Sequence, residues 1–102
     1  MQNNFRTYNL AVSFYRLSQS HVCARHLKEQ LSRAASSIVL NLAEGAGRAT
    51  KADQKRFFHI ALGSLRECEA ILTISTTSSK EILKASDVLG AHLYKLIKSC
   101  ER

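Results

Sequence analysis

The sequence predicts an all-α fold, an antiparallel up-down-up-down four-helix bundle, and three observations carry that prediction. The 102 residues include no proline and only four glycines, and Ala, Leu, Ser, Lys and Arg dominate, which favours helix. Apolar residues recur at spacings of three and four in four separate stretches. The connections between those stretches are short, as expected of helices packed beside their sequence neighbours. A chain of this length makes one domain, over 1–102, with a single modest core.

The first helix is predicted over 5–18, where Leu10, Phe14 and Leu17 form the inward face and Val12 and Tyr15 widen it. Asn3 or Asn4 is placed to cap its start. The second is predicted over 22–44, with Leu27, Leu31, Ala34, Ile38 and Leu42 as its seam and a polar stripe of Gln30, Arg33, Ser37, Asn41 and Glu44 beside it. Towards its end Ile38, Val39, Leu40, Leu42 and Ala43 cover most of the circumference, which predicts burial on several sides and hence a partner subunit. Gly45 and Gly47 are predicted to stop this helix by taking left-handed backbone.

The third helix is predicted over 50–77, capped by Thr50 with Asp53 in the electropositive first turn. Its seam is Phe57, Ala61, Ser64, Cys68, Ile71 and Ser75, and a second face carries Ile60, Gly63, Glu67, Ala70 and Ile74. A mid-helix glycine costs about 1 kcal/mol relative to alanine, so Gly63 predicts the close approach of another helix. The fourth helix is predicted over 79–100, with Ser78 and Glu81 spaced as a capping box and Ile82, Ser86, Leu89, Leu93, Leu96 and Cys100 as seam. Opposite that seam Lys80, Lys84, Ala91, Lys95, Lys98 and Arg102 fall within roughly 60° on a helical wheel, interrupted by Asp87.

Lys and Arg exceed Asp and Glu by seven. Such an excess predicts an anionic partner, RNA or DNA; the ordinary alternative is a set of solvated lysines that serve solubility. Cys23, Cys68 and Cys100 are an odd number without Cys-x-x-Cys spacing, which argues against a disulfide framework and a structural zinc site and for a reducing compartment. The N-terminus lacks the apolar run of a signal peptide, and no stretch nears the roughly 18 apolar residues of a membrane span. The expected location is the cytoplasm, with no membrane partner.

Little here points to catalysis. Glu44 and Glu67 lack the Glu-x-x-His motif of di-iron bundles. His21, His26, His59 and His92 are scattered, and His26 with Cys23 supplies only two zinc ligands. No nucleophile signature or P-loop is present, so the chain is expected to be no enzyme, with no metal and no cofactor. Cys68 and Cys100 lie on apolar seams, as small hydrophobes do. Asn41, Glu44 and Arg48 are a candidate functional cluster, but the favoured reading is structural, with Asn41 and Glu44 satisfying backbone or inter-subunit polar groups around the turn.

The basic residues are the candidate site. Arg48, Lys51, Lys55 and Arg56 gather against Asp53 at the third helix start, and Lys84, Lys95 and Lys98 add the fourth helix. Phosphate contacts from such residues give sequence-independent, salt-sensitive binding. No aromatic residue is read among them, so base stacking is not expected.

The run Gln30…Arg33-Ala34…Ser37-Ile38…Asn41-Leu42-Ala43-Glu44-Gly45-Ala46-Gly47-Arg48, followed by Phe57…Ile60-Ala61…Gly63-Ser64…Glu67, resembles the bacterial four-helix-bundle proteins encoded in intervening sequences of 23S ribosomal RNA genes. The resemblance covers most of the chain and implies a homopentameric barrel. It makes Arg33, Ser37, Asn41, Glu44, Gly45, Gly47, Arg48, Gly63, Ser64 and Glu67 the family motif, concerned with assembly. That family is similar to accessory proteins of diversity-generating retroelements, which bind nucleic acid and a reverse transcriptase. The chain departs from the pattern at Gln19–Cys23, where a proline and acidic turn is usual. The expected function is thus a non-enzymatic homo-oligomer that binds RNA or DNA without strong sequence preference. The alternative is a structural or adaptor bundle that recruits another protein.

Overall fold

The apolar periodicity resolves into four helices in the computed structural model, which describes residues 2–101, with side chains from Phe5 to Glu101. They are α1 (Gln2–Gln19), α2 (Arg25–Ala46), α3 (Lys51–Ile74) and α4 (Lys80–Ser99), and no strand occurs among the described residues. Capping by Asn3 or Asn4, and the place of Arg102 in the α4 stripe, lie outside the described side chains. No described helix is long and apolar enough to cross a membrane.

Each helix has two neighbours around one core: α1 packs on α2 and α4, and α3 packs on α2 and α4, with the α2–α3 contact the most extensive. The molecule measures 41 × 22 × 18 Å, so α3, about 36 Å long at ~1.5 Å per residue, runs nearly its full length.

The α4 seam is buried as expected at Ile82, Ser86, Leu89, Leu93, Leu96 and Cys100, and the α2 seam at Leu31, Ala34, Ile38 and Leu42. Two seams are rotated from expectation. In α1 the inward row is Thr7, Ala11, Phe14 and Ser18, with Leu10 and Leu17 on its flanks. In α3 it is Phe58, Ala61, Leu65, Cys68, Ile71 and Leu72: Ala61, Cys68 and Ile71 are buried as expected, while Phe58, Leu65 and Leu72 stand in place of Phe57, Ser64 and Ser75. A helix held between two neighbours points the centre of its apolar arc at the core and its smaller or polar edges at those neighbours. The buried Ser18 and Ser86 hydroxyls are satisfied, Ser18 donating to the Tyr15 carbonyl at 2.6 Å and Ser86 to Glu69 at 3.3 Å.

The helix ends also differ. Val22 does not open α2: it is 82% exposed in the connection, and α2 begins at Arg25 after Ala24, which offers no capping side chain. The end of α1 is closed instead by Lys28, whose Nζ donates to the carbonyls of Ser18, Gln19 and His21 at 3.3, 2.6 and 2.6 Å. A cation on the final carbonyls both hydrogen-bonds them and opposes the negative helix terminus.

Gly45 lies inside α2, Gly47 follows it at φ −90°, ψ −2°, and no described residue has positive φ. Neither glycine therefore serves as a left-handed stop. Helix α3 ends at Ile74 because Ser75 turns to extended backbone at ψ 144°. Thr50 caps α3 as expected, accepting from the Asp53 amide at 3.1 Å. At α4 the cap is Ser79, which accepts from the Ile82 amide at 3.2 Å, while Ser78 donates to the Leu72 carbonyl at 3.0 Å. No Ser78–Glu81 capping box forms.

The end of α2 is not enclosed within one chain. Ile38 and Leu42 are buried, Val39 is half-buried, Ala43 is exposed and Leu40 is 66% exposed. Two neighbouring helices cover only part of that circumference.

Candidate functional site

The turn from α2 to α3 brings Arg48 between two carboxylates. Arg48 Nε donates to Asp53 at 2.7 Å and Nη1 to Glu44 at 3.0 Å, while Arg56 reaches the other Asp53 oxygen at 3.2 Å. The hydrogen bond from Arg48, helped by Arg56, holds the Asp53 carboxyl below its ordinary range, and the same contact raises Arg48. The Phe57 ring sits beside both guanidinium groups, 5.1 Å from Arg48 and 4.4 Å from Arg56. Gln54 donates to the Arg48 carbonyl at 3.1 Å and fixes the turn.

Further round this end, Lys55 and Lys98 share one carboxylate. Glu101 accepts from Lys55 at 2.8 Å and lies 3.6 Å from Lys98, which ties α3 to α4 and lowers the Glu101 pKa chiefly through Lys55. Four of the seven candidate cations (Arg48, Lys55, Arg56 and Lys98) thus have carboxylate partners within the chain. Lys51, Lys84 and Lys95 form no ion pair among the described residues and are exposed. Exposed pairs of this kind are weak and screened by salt.

Two aromatic residues belong with this set and were missing from the sequence reading. Phe57 stacks on the arginines, and Tyr94 is 58% exposed with Lys98 Nζ 5.6 Å from its ring centroid. The signal was present: Tyr94 stands four residues before Lys98, one helical turn along the same side.

Four of the ten family-motif residues, Arg33, Ser37, Ser64 and Glu67, meet in a groove of about 240 Å³ between α2 and α3, lined also by Gln30 and Ala34. Ser64 donates to Ser37 at 2.9 Å, and Asn41 donates to the Ser37 hydroxyl and carbonyl at 3.1 and 2.8 Å. Arg33 and Glu67 flank the groove without pairing. Gly63 meets nothing within 4 Å of where its Cβ would stand, so the close helix approach expected there does not occur within the chain.

A histidine–serine contact lies at the opposite end. His21 Nε2 lies 3.1 Å from Ser75 Oγ, a pairing that in hydrolases activates the hydroxyl. Here Ser75 gives its single proton to the Ile71 carbonyl at 2.7 Å. The ring nitrogen must therefore donate rather than accept, the reverse of a general base. No group of three or more His, Cys, Asp or Glu side chains is arranged to hold a metal among the described residues.

Compared with known proteins, residues 5–99 match the family model described as 23S rRNA-intervening sequence protein. No curated protein matches the chain significantly.

Proposed function

The chain belongs to the 23S rRNA-intervening sequence protein family, and we propose that it is a non-enzymatic, homo-oligomeric bundle that binds the backbone of RNA or DNA. The observation that carries this reading is the outer row of α4. Lys80, Lys84, Lys95 and Lys98 are exposed on the side opposite the buried Ile82–Cys100 seam, and the first three have no carboxylate partner among the described residues. A row of ammonium groups along a helix suits successive phosphates and carries no base information. Arg48, Lys51, Lys55 and Arg56 extend the cationic surface at the α3 start.

The bundle is read as antiparallel, up-down-up-down. For α2 and α3 the supporting contacts are Gly45 beside Phe58 and Ser37 on Ser64, continued beyond the helix ends by His21 on Ser75, so that α2 numbers rise as α3 numbers fall. Self-assembly is supported by exposed apolar side chains at Leu40, Ile60 and Ile74 and by the open Gly63 between the latter two. Five copies is the number that the family resemblance implies. Repetition around a ring multiplies weak phosphate contacts through effective concentration. The free thiols of Cys23, Cys68 and Cys100 suit a reducing compartment such as the cytoplasm.

Titration of labelled RNA and DNA across a salt series tests the reading. Binding that weakens linearly in log salt is expected; no binding at low salt overturns it. A second reading, an adaptor that recruits another protein, draws on the ion pairs that occupy Arg48, Lys55 and Arg56. It also draws on the apolar groove of about 260 Å³ between α1 and α2, lined by Val12, Tyr15, Arg16, Ser36, Val39 and Leu40.

A further inference from the structure

We infer that Tyr94 is a base-stacking platform set into the lysine row of α4, so that the nucleic acid this protein prefers is single-stranded. The inference rests on the phosphate-binding reading above and adds the strand state that reading leaves open.

Tyr94 is 58% exposed, one of the largest apolar surfaces left uncovered on α4. A helical side chain leans over the turn before it, towards positions three and four residues back. For Tyr94 these are Ala91 and Gly90, the smallest residues of the helix, and they leave the ring uncovered. Gly90 is not demanded by packing, since a Cβ there would make only ordinary contact with Leu65 at 3.5 Å. More than half of the side chain thus faces solvent, with Lys98 Nζ standing over part of the ring.

Cationic residues stand near the ring. Lys95 is the next residue, and Lys98 holds its ammonium 5.6 Å from the ring centroid. Lys98 shares Glu101 with Lys55 on α3, and Lys51 lies one turn earlier on that helix. A single carboxylate serves two lysines there, so the track from α4 to α3 stays cationic. An aromatic face beside a phosphate track is the arrangement on which unpaired bases stack. Duplex bases, already stacked inside the helix, offer no free face to the ring.

The test uses the intact chain and fluorescein-labelled 12-mers as single-stranded RNA, single-stranded DNA and the matching duplex, followed by anisotropy across salt. The wild type is expected to bind the single strands more tightly than the duplex. Tyr94→Ala is expected to lose about 5- to 150-fold on single strands, the equivalent of one stacked base, with duplex binding unchanged. Tyr94→Phe keeps the ring and is expected to keep the preference. Equal losses on both forms, or none, overturn the inference and leave phosphate binding standing. So does a change in particle mass for Tyr94→Ala by light scattering, which makes Tyr94 an assembly residue. If the wild type binds neither form at low salt, the phosphate-binding reading itself fails and this inference falls with it.

Discussion

Gly45 of α2 lies so close to the Phe58 ring of α3 that a Cβ built on it would stand 2.7 Å from Cε1 and 2.9 Å from Cδ1. Phe57 closes the same space, with its Cβ at 3.0 Å. Both elements are helical and Phe58 is fully buried, so neither ring nor backbone has room to retreat. Gly45→Ala is expected to destabilise the fold by about 1–3 kcal/mol, the cost of overpacking a filled core. Urea denaturation reads it as a lower midpoint with an unchanged slope.

Gly63 is the counter-example. With nothing near its missing Cβ, Gly63→Ala is expected to gain up to about 1 kcal/mol of helix stability. Gly63→Leu extends the test to assembly. If α3 packs against another copy through Ile60, Gly63 and Ile74, light scattering shows a smaller particle for this variant. Unchanged mass removes that face from the interface.

If the protein binds nucleic acid as proposed, the salt dependence of that binding is expected to separate lysines with a carboxylate partner from those without one among the described residues. Lys84→Gln and Lys95→Gln are each expected to flatten the slope of log K against log salt by about 0.7 on single strands, one phosphate contact apiece. Glu101→Gln acts in reverse, because it releases Lys55 and Lys98 together. Tighter binding at low salt and a steeper slope are expected, measured by the same anisotropy titration. A Glu101→Gln protein that binds less tightly refutes the competition between carboxylate and phosphate.

His21 makes stability depend on pH. Burial, reinforced by the nearby Lys28 charge, lowers its pKa from the ordinary 6.5. The folded ring therefore binds fewer protons than the unfolded one, and stability rises with pH. The contribution is complete above about pH 6.5 and is lost as pH falls through the lower folded value. Glu81 lines the same open cleft as His21 but does not reverse that direction. Thermal melts between pH 5 and 7.5 are expected to show a declining Tm on the acid side, and His21→Asn is expected to flatten that decline. Asp53 and Glu101, both lowered by their cationic partners, add losses of the same sign only in the more acidic carboxylate range.

The thiols should react in order of burial. Burial first, and the Glu67 and Glu69 charges second, push Cys68 from 9.0 to about 12, and Cys100 is also buried, whereas Cys23 is partly exposed. Alkylation of the native protein at pH 8 is expected to label Cys23 at least tenfold faster than Cys68, because the thiolate is the reactive form. Peptide mass spectrometry distinguishes the sites, and comparable labelling of Cys68 refutes its enclosure.

The four helices were legible along the chain, because helical periodicity and capping are local. The α4 seam from Ile82 to Cys100, the Leu31–Leu42 seam of α2 and the Thr50 cap could all be read from neighbours within a turn or two. The motif from Gln30 to Glu67 likewise made the family legible, and its groove residues Arg33, Ser37, Ser64 and Glu67 do converge. What depended on two helices meeting was not legible. The α1 and α3 seams turned because the core lies between neighbours whose positions no single helix specifies. Local sequence makes Gly45 a helix stop, whereas the fold uses it as clearance for Phe58, since a glycine's missing Cβ matters only when another element occupies the space. Lys28 closed a helix from seven to ten residues away. The lysine row was visible in the periodicity of α4, but its division into paired Lys98 and unpaired Lys84 and Lys95 was not. That division depends on where the bundle sets Glu101 and Lys55, a consequence of packing rather than of local sequence.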